Sequence, residues 1–234
     1  MRVRRLHEWN LSYAQARELQ TRLASEVRFD RLDREPELVA GLDCGFSRDG
    51  TRVLAAIVVL RISGRQKGSG ALHLAPAETV TASMELDFPY IPGLLSLREA
   101  PVCLAAVRKL TCRPNVFLID GQGFAHPRRL GLASHLGLFL DKPTVGCAKS
   151  RLLGTFEEPG REKGIYSLLR DGSEVIGAVV RTRRDVKPLF VSVGHRCRLD
   201  DAVRLTLACA TKYRLPEPTR LAHQAVTRLK KCLG

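Results

Sequence analysis

Four apolar residues, Val116 to Ile119, running straight into the carboxylate of Asp120 constrain this 234-residue chain more than any other stretch. Consecutive apolar side chains without polar alternation read as a strand buried on both faces, as in a parallel sheet covered by helices. An unpaired charge at the end of such a strand is expensive to bury. Glycines follow at 121 and 123, and Pro127 stands where a helix can begin, so the pattern predicts a helix from Pro127 to about Leu140. Arg128 and Arg129 would then oppose that helix's dipole, and a bound phosphate would account for them. A carboxylate at a strand end with an anion site beside it suggests metal-assisted chemistry on phosphate.

The rest of the chain supplies a sheet for that strand to join. Ser12 to Gln15 form a capping box, with Ala16, Leu19, Leu23 and Val27 following at helical spacing. Asp30 to Glu37 read as a connector. Residues 38–47 alternate, with Leu42, Cys44 and Phe46 on one face and Gly41, Asp43 and Gly45 on the other. A second strand is predicted over Thr51 to Ile62, a polar loop over Gly64 to Gly70, and a third strand from Leu72 to Leu86. Leu97, Pro101, Leu104 and Val107 mark a helix ahead of the buried strand. A short strand, Thr144 to Cys147, follows the helix after it. Strands are predicted again at 165–169, 174–181 and 189–193, and helices at 200–213 and 218–232. The order predicts an α/β fold: a mixed sheet flanked by helices in a single domain spanning 1–234.

Charge narrows the partners. The chain carries 38 Lys and Arg against 24 Asp and Glu, a net +14, and 13 basic against 4 acidic residues fall within 181–234. Such an excess favours a polyanion and predicts binding that weakens steeply with salt. The seven cysteines form no CxxC pair, which argues against a disulfide framework or a cysteine-rich zinc site. The first residues lack the apolar core of a signal peptide, and no apolar run is long enough to span a bilayer. A cytoplasmic protein without membrane contact is the expectation.

Several residues are candidates for chemistry. Asp43 shares a strand face with two glycines that leave room for an ion or for an approaching backbone. If the strand after the first crossover pairs beside strand one, Asp43 and Asp120 become neighbours able to hold divalent ions over a phosphodiester. Glu99 falls at the start of a helix, where the dipole alone would favour it. His126, beside Arg128 and Arg129, is placed to contact a phosphate. Lys149 follows the Thr144 strand and could neutralise a transition state. His223 lies with Arg220, Thr227 and Lys230 on the polar side of the last helix, where a lone histidine is ordinarily a surface residue. Pro89, Tyr90, Ile91, Pro92 and Gly93 make a stiff segment that could enter a base stack while one base is turned out into a pocket.

Taken together the blocks resemble one family, endonuclease V. They are Val39-Ala40-Gly41-Leu42-Asp43, Pro89 to Gly93 with Arg98-Glu99, Asp120-Gly121-Gln122-Gly123 and His126-Pro127-Arg128-Arg129. Gly131 to His135, Pro143 to Gly146, Ala148 to Leu152 and Pro216 to Arg220 continue the series across nearly the whole chain. The resemblance implies a ribonuclease-H-like fold and cleavage of the second phosphodiester bond 3′ to inosine, leaving 3′-hydroxyl and 5′-phosphate ends. It implies Asp43 and Asp120 as ligands of Mg2+, with Mn2+ also serving, and Glu99 as the third acidic group. His126 and Lys149 would contact the cleaved phosphate and His223 would lie near the catalytic centre. Pro89 to Gly93 would part the strands, and Gly93, Gly121 and Gly123 would line the hypoxanthine pocket. The expected partner is DNA containing deoxyinosine, met by a monomer. Alternatives are an endoribonuclease acting on inosine in RNA, and a catalytically silent nucleic-acid-binding protein of the same fold.

Overall fold

A computed structural model describes residues 1–32, 34–65, 71–86 and 91–232. Its elements are α1 (Tyr13–Ala24), β1 (Leu38–Phe46), β2 (Arg52–Arg65), β3 (Leu72–Glu85), α2 (Leu95–Lys109), β4 (Val116–Ile119) and α3 (Leu132–Leu140). They continue with β5 (Thr144–Ala148), β6 (Tyr166–Asp171), β7 (Glu174–Val180), β8 (Leu189–His195), α4 (Leu199–Cys209) and α5 (Glu217–Cys232). The strands form one mixed sheet in the order β3-β2-β1-β4-β5-β8-β7-β6. β1, β4 and β5 run parallel at its centre, and the flanking pairs are antiparallel. The predicted mixed sheet flanked by helices is therefore what the chain forms.

Side-chain alternation explains why both faces are covered. From β1 and β4, Ala40, Leu42, Phe117 and Ile119 pack into one core with α2 and α3. Val39, Val116 and Leu118 point the other way, into a second core with α4 and α5. All four β4 residues are buried, as an unbroken apolar run requires. At the N-terminus the capping box on Ser12 is formed, and Ala16, Leu19 and Leu23 are buried.

Three boundaries differ from the prediction. The helix expected from Pro127 begins at Leu132, because residues 127–131 fold as a turn in which Arg129 takes a left-handed backbone (φ 55°) that no helix can include. Arg128 and Arg129 therefore do not sit at a helix N-terminus, and the dipole argument for a phosphate there lapses. β2 runs on to Arg65, held by pairing with β3 as far as Leu72. The helix expected over 200–213 stops at Cys209, where Ala210 turns extended.

Candidate metal centre at the strand ends

Parallel pairing of β1 with β4 sets Leu42 opposite Ile119, and the Asp120 N–H donates to the Leu42 carbonyl (2.9 Å). Asp43, inside β1, and Asp120, just past the end of β4, are thereby the next residues on two adjacent strands. Lys149 leaves the end of the third parallel strand, β5, and its Nζ donates to Asp120 Oδ2 at 2.5 Å. The adjacency expected of the two carboxylates is present.

His223 arrives from α5 through a glycine. A Cβ at Gly41 would lie 2.0 Å from the Pro218 carbonyl carbon and 2.5 Å from the Thr219 nitrogen. Only glycine lets the first turn of α5 press this close to β1. Pro218 and Thr219 are buried in that contact, and Thr219 Oγ1 donates to the Pro216 carbonyl (3.0 Å). One turn further along α5, His223 Nδ1 donates to Asp43 Oδ2 (2.7 Å). The space left by Gly41 is thus filled by backbone, and His223, which the family resemblance places near the catalytic centre, is held on the buried Asp43 carboxylate.

Electrostatics marks this cluster. Burial raises the Asp43 carboxyl above its usual range, the nearby Asp120 charge raises it further, and His223 and Lys149 pull it back. Each of Asp43, Asp120 and His223 offers a ligand atom within 4.8 Å of the other two. Two carboxylate oxygens and an imidazole nitrogen fit a divalent cation, which would relieve the repulsion between the two acids.

Glu99 is not one of the three groups that lie within 4.8 Å of one another. It comes from α2, beside Cys44 and within reach of the charges on both Asp43 and Asp120. Burial pushes its carboxyl up to about 7, the Cys44 thiol pulls it down, and the Asp43 charge raises it. Arg214 is a contributor that was not predicted: Nη2 donates to the carbonyls of Lys149 (2.7 Å) and Pro188 (2.8 Å), fixing the loop that carries Lys149. No local pattern singles it out, since its partners are backbone atoms distant in sequence.

The other predicted residues gather around Gly93. Pro89 and Tyr90 lie outside the described residues. Ile91 to Leu94 form a turn closed by Leu94 N–H to the Ile91 carbonyl (2.9 Å), with Pro92 second and Gly93 third at φ 79°, which is type II chemistry. Ile91 is half-buried, packed beside Leu94 and Leu97. The Gly93 carbonyl accepts from Gln20 Nε2 (3.0 Å), Arg128 Nη2 (2.6 Å) and His126 Nε2 (3.2 Å). His126 Nδ1 in turn accepts from the Arg128 N–H (3.2 Å). Burial, reinforced by the Arg128 charge, drops the His126 imidazole to about 4, so it is neutral at physiological pH. Arg129 points elsewhere: Nε donates to Glu174 (2.9 Å) and Nη2 to Asp171 (2.8 Å), in the β6–β7 hairpin. Gly121 and Gly123 lie in the loop after β4, and the Gly123 N–H donates to Ser192 Oγ (2.9 Å).

Comparison with known proteins matches this architecture. The endonuclease V family profile covers residues 21–224. The endonuclease V of Methanothrix thermoacetophila is 50% identical over 223 residues, spanning 95% of this chain and 94% of that protein. The crystal structure of endonuclease V from Streptomyces avermitilis superposes with a TM-score of 0.88 at 40% identity, covering all of both chains. The Ciona intestinalis enzyme, solved with a 24mer DNA containing an inosine followed by a ribo-adenosine, superposes at 0.79 with 27% identity over 94% of this chain and 98% of that one. With the profile spanning most of its length and half of its residues shared with a full-length relative, this chain belongs to the endonuclease V family of nucleases.

Proposed function

We infer that the protein is a metal-dependent endonuclease of DNA repair that recognises inosine and hydrolyses the second phosphodiester bond 3′ to it, leaving 3′-hydroxyl and 5′-phosphate ends. The observation that carries this reading is the meeting of Asp43 from β1, Asp120 from the end of β4 and His223 from α5 in a chain of this family. The Ciona relative, bound to inosine-containing DNA, supports the substrate. Asp43 and Asp120 would hold Mg2+, with Mn2+ able to serve. Bound there, the ion supplies Lewis-acid stabilisation of phosphate oxygens. Lys149 brings a positive charge to the rim of the same cluster, where developing negative charge would be stabilised. His223 fixes the orientation of the Asp43 carboxylate through its Nδ1–H. Together with Glu99 it would orient the attacking water. His126 and Arg128 act on the substrate side by clamping the Gly93 turn, and Arg129 and the backbone at Gly121 and Gly123 complete the binding surface. The protein works as a single-domain monomer in the cytoplasm; among its described helices none is long and apolar enough to cross a membrane.

Replacing Asp43 or Asp120 by Ala should abolish cleavage of an inosine-bearing duplex while gel-shift affinity stays close to wild type; normal turnover in Asp120→Ala would overturn the assignment. Tyr90→Ala should reduce cleavage of inosine in duplexes more than in single strands, since only a duplex must be parted. Equal losses on both substrates would remove the wedge from the mechanism.

A second reading has one observation in its favour. The DNA bound by the Ciona relative carries a ribonucleotide directly after the inosine, so a 2′-hydroxyl next to the lesion is accommodated in that protein. An endoribonuclease acting on inosine in RNA would keep the same catalytic residues and differ in contacts to that hydroxyl.

A further inference from the structure

At the opposite end of the sheet from Asp43 and Asp120, a cavity of about 670 Å³ opens between the connector ahead of β1 and the starts of β4 and β5. The antiparallel β8 ends there too, which brings Arg196 and Arg198 to its wall. The described lining holds six cations and two carboxylates. The carboxylates are already engaged: Asp30 pairs with Arg28 at 3.0 Å, and Asp141 with Arg196 at 2.9 Å. Arg31, Arg34, Lys142 and Arg198 are left without a counter-charge among the described residues.

The cavity is also built. The connector is fastened at three points: the Arg28 N–H to His195 Nδ1 (3.2 Å), the Arg196 N–H to the Arg28 carbonyl (2.7 Å), and the Leu32 N–H to Asp201 Oδ2 (3.1 Å). Asn115, on the cavity wall, uses its Oδ1 to accept from the N–H groups of Glu37 (3.0 Å) and Leu38 (2.8 Å). Its amide nitrogen, a two-proton donor, makes no hydrogen bond among the described residues. Four cations held close together repel one another, and folding alone gives no reason to collect them around a preformed hollow. The volume suits a small ligand or one segment of a larger one.

We propose that this cavity is a phosphate-binding site separate from the catalytic centre, in which Arg31, Arg34, Arg198 and Lys142 neutralise the ligand's charge and the Asn115 amide donates to one of its oxygens. Two sources share that chemistry: backbone phosphates of a nucleic-acid strand passing the far pole of the molecule, or a free polyphosphate.

The test uses an Arg31→Ser/Arg34→Ser/Arg198→Ser variant, remote from the catalytic cluster. A charge-matched Arg183→Ser/Arg184→Ser/Lys187→Ser variant serves as control. Affinity for a long unmodified DNA duplex is measured without divalent metal over a series of salt concentrations. Thermal unfolding is followed with and without pyrophosphate. If backbone phosphates bind in the cavity, the slope of log affinity against log salt falls by about 2 to 3 in the cavity variant, near 0.9 per lost contact, and stays near wild type in the control. If the ligand is a free polyphosphate, pyrophosphate raises the melting temperature of wild type and control but not of the cavity variant, with the slopes unchanged. Equal slopes in all three proteins, together with no pyrophosphate shift that depends on the cavity arginines, would overturn the proposal.

Discussion

Glu99 shows how strongly single residues are tuned here. Its carboxyl is raised to about 7 from an ordinary 4.5, chiefly by burial. In the folded state it therefore takes up a proton as pH falls through 7, whereas the unfolded chain takes one up only near 4.5. Stability from this group is fully present below about 4.5 and is lost as pH rises through 7. Glu99→Gln should thus stabilise the metal-free protein above pH 7, by an amount on the order of 3 kcal/mol, and the advantage should vanish near pH 4.5 in urea titrations. A difference that stays constant with pH would contradict the account. His126 and Arg128 carry a contact that the sequence did not show. Read from sequence they faced a phosphate; in the fold both hydrogen-bond the Gly93 carbonyl as well. That link joins residues 33 and 35 positions apart, and no local pattern encodes it.

Between elements, the decisive contact is α5 on β1. It depends on Gly41, where an added Cβ would strike the backbone of Pro218 and Thr219. Gly41→Ala should destabilise the protein by at least the roughly 1–3 kcal/mol typical of overpacking, measured by chemical denaturation. Activity of the folded fraction should fall as well, because α5 carries His223 to Asp43. Unchanged stability would show that α5 docks less tightly than its geometry implies. Strand alternation in β1 was readable because its period is local, and it separated Gly41, Asp43 and Gly45 from Leu42, Cys44 and Phe46 correctly. The start of α3 was not: proline at 127 is a helix-start signal, yet Arg129 is drawn into a left-handed turn and its side chain is held by Asp171 and Glu174 from a distant hairpin. Tertiary pairing outweighed the local signal.

In the whole molecule, the mixed sheet and the pairing of Asp43 with Asp120 were legible because they follow from strand order and a parallel crossover. The convergence of His223 was legible only through the family resemblance, since by local pattern alone it needs the final helix to return across the first strand. The +14 charge pointed to a polyanion without saying where. The fold places four cations without a counter-charge among the described residues at the pole away from the acids, so the two ends of the central strands carry opposite chemistry. The central claim is that the acidic end cuts nucleic acid beside inosine. Its most direct test is strand cleavage with Mg2+ on matched DNA and RNA oligonucleotides, each bearing one central inosine, with unmodified controls. The account predicts a nick at the second phosphodiester 3′ to deoxyinosine, with 3′-hydroxyl and 5′-phosphate ends. Cleavage of the RNA alone would move the same active site to RNA, and binding of both oligonucleotides with neither cut would contradict the catalytic claim outright.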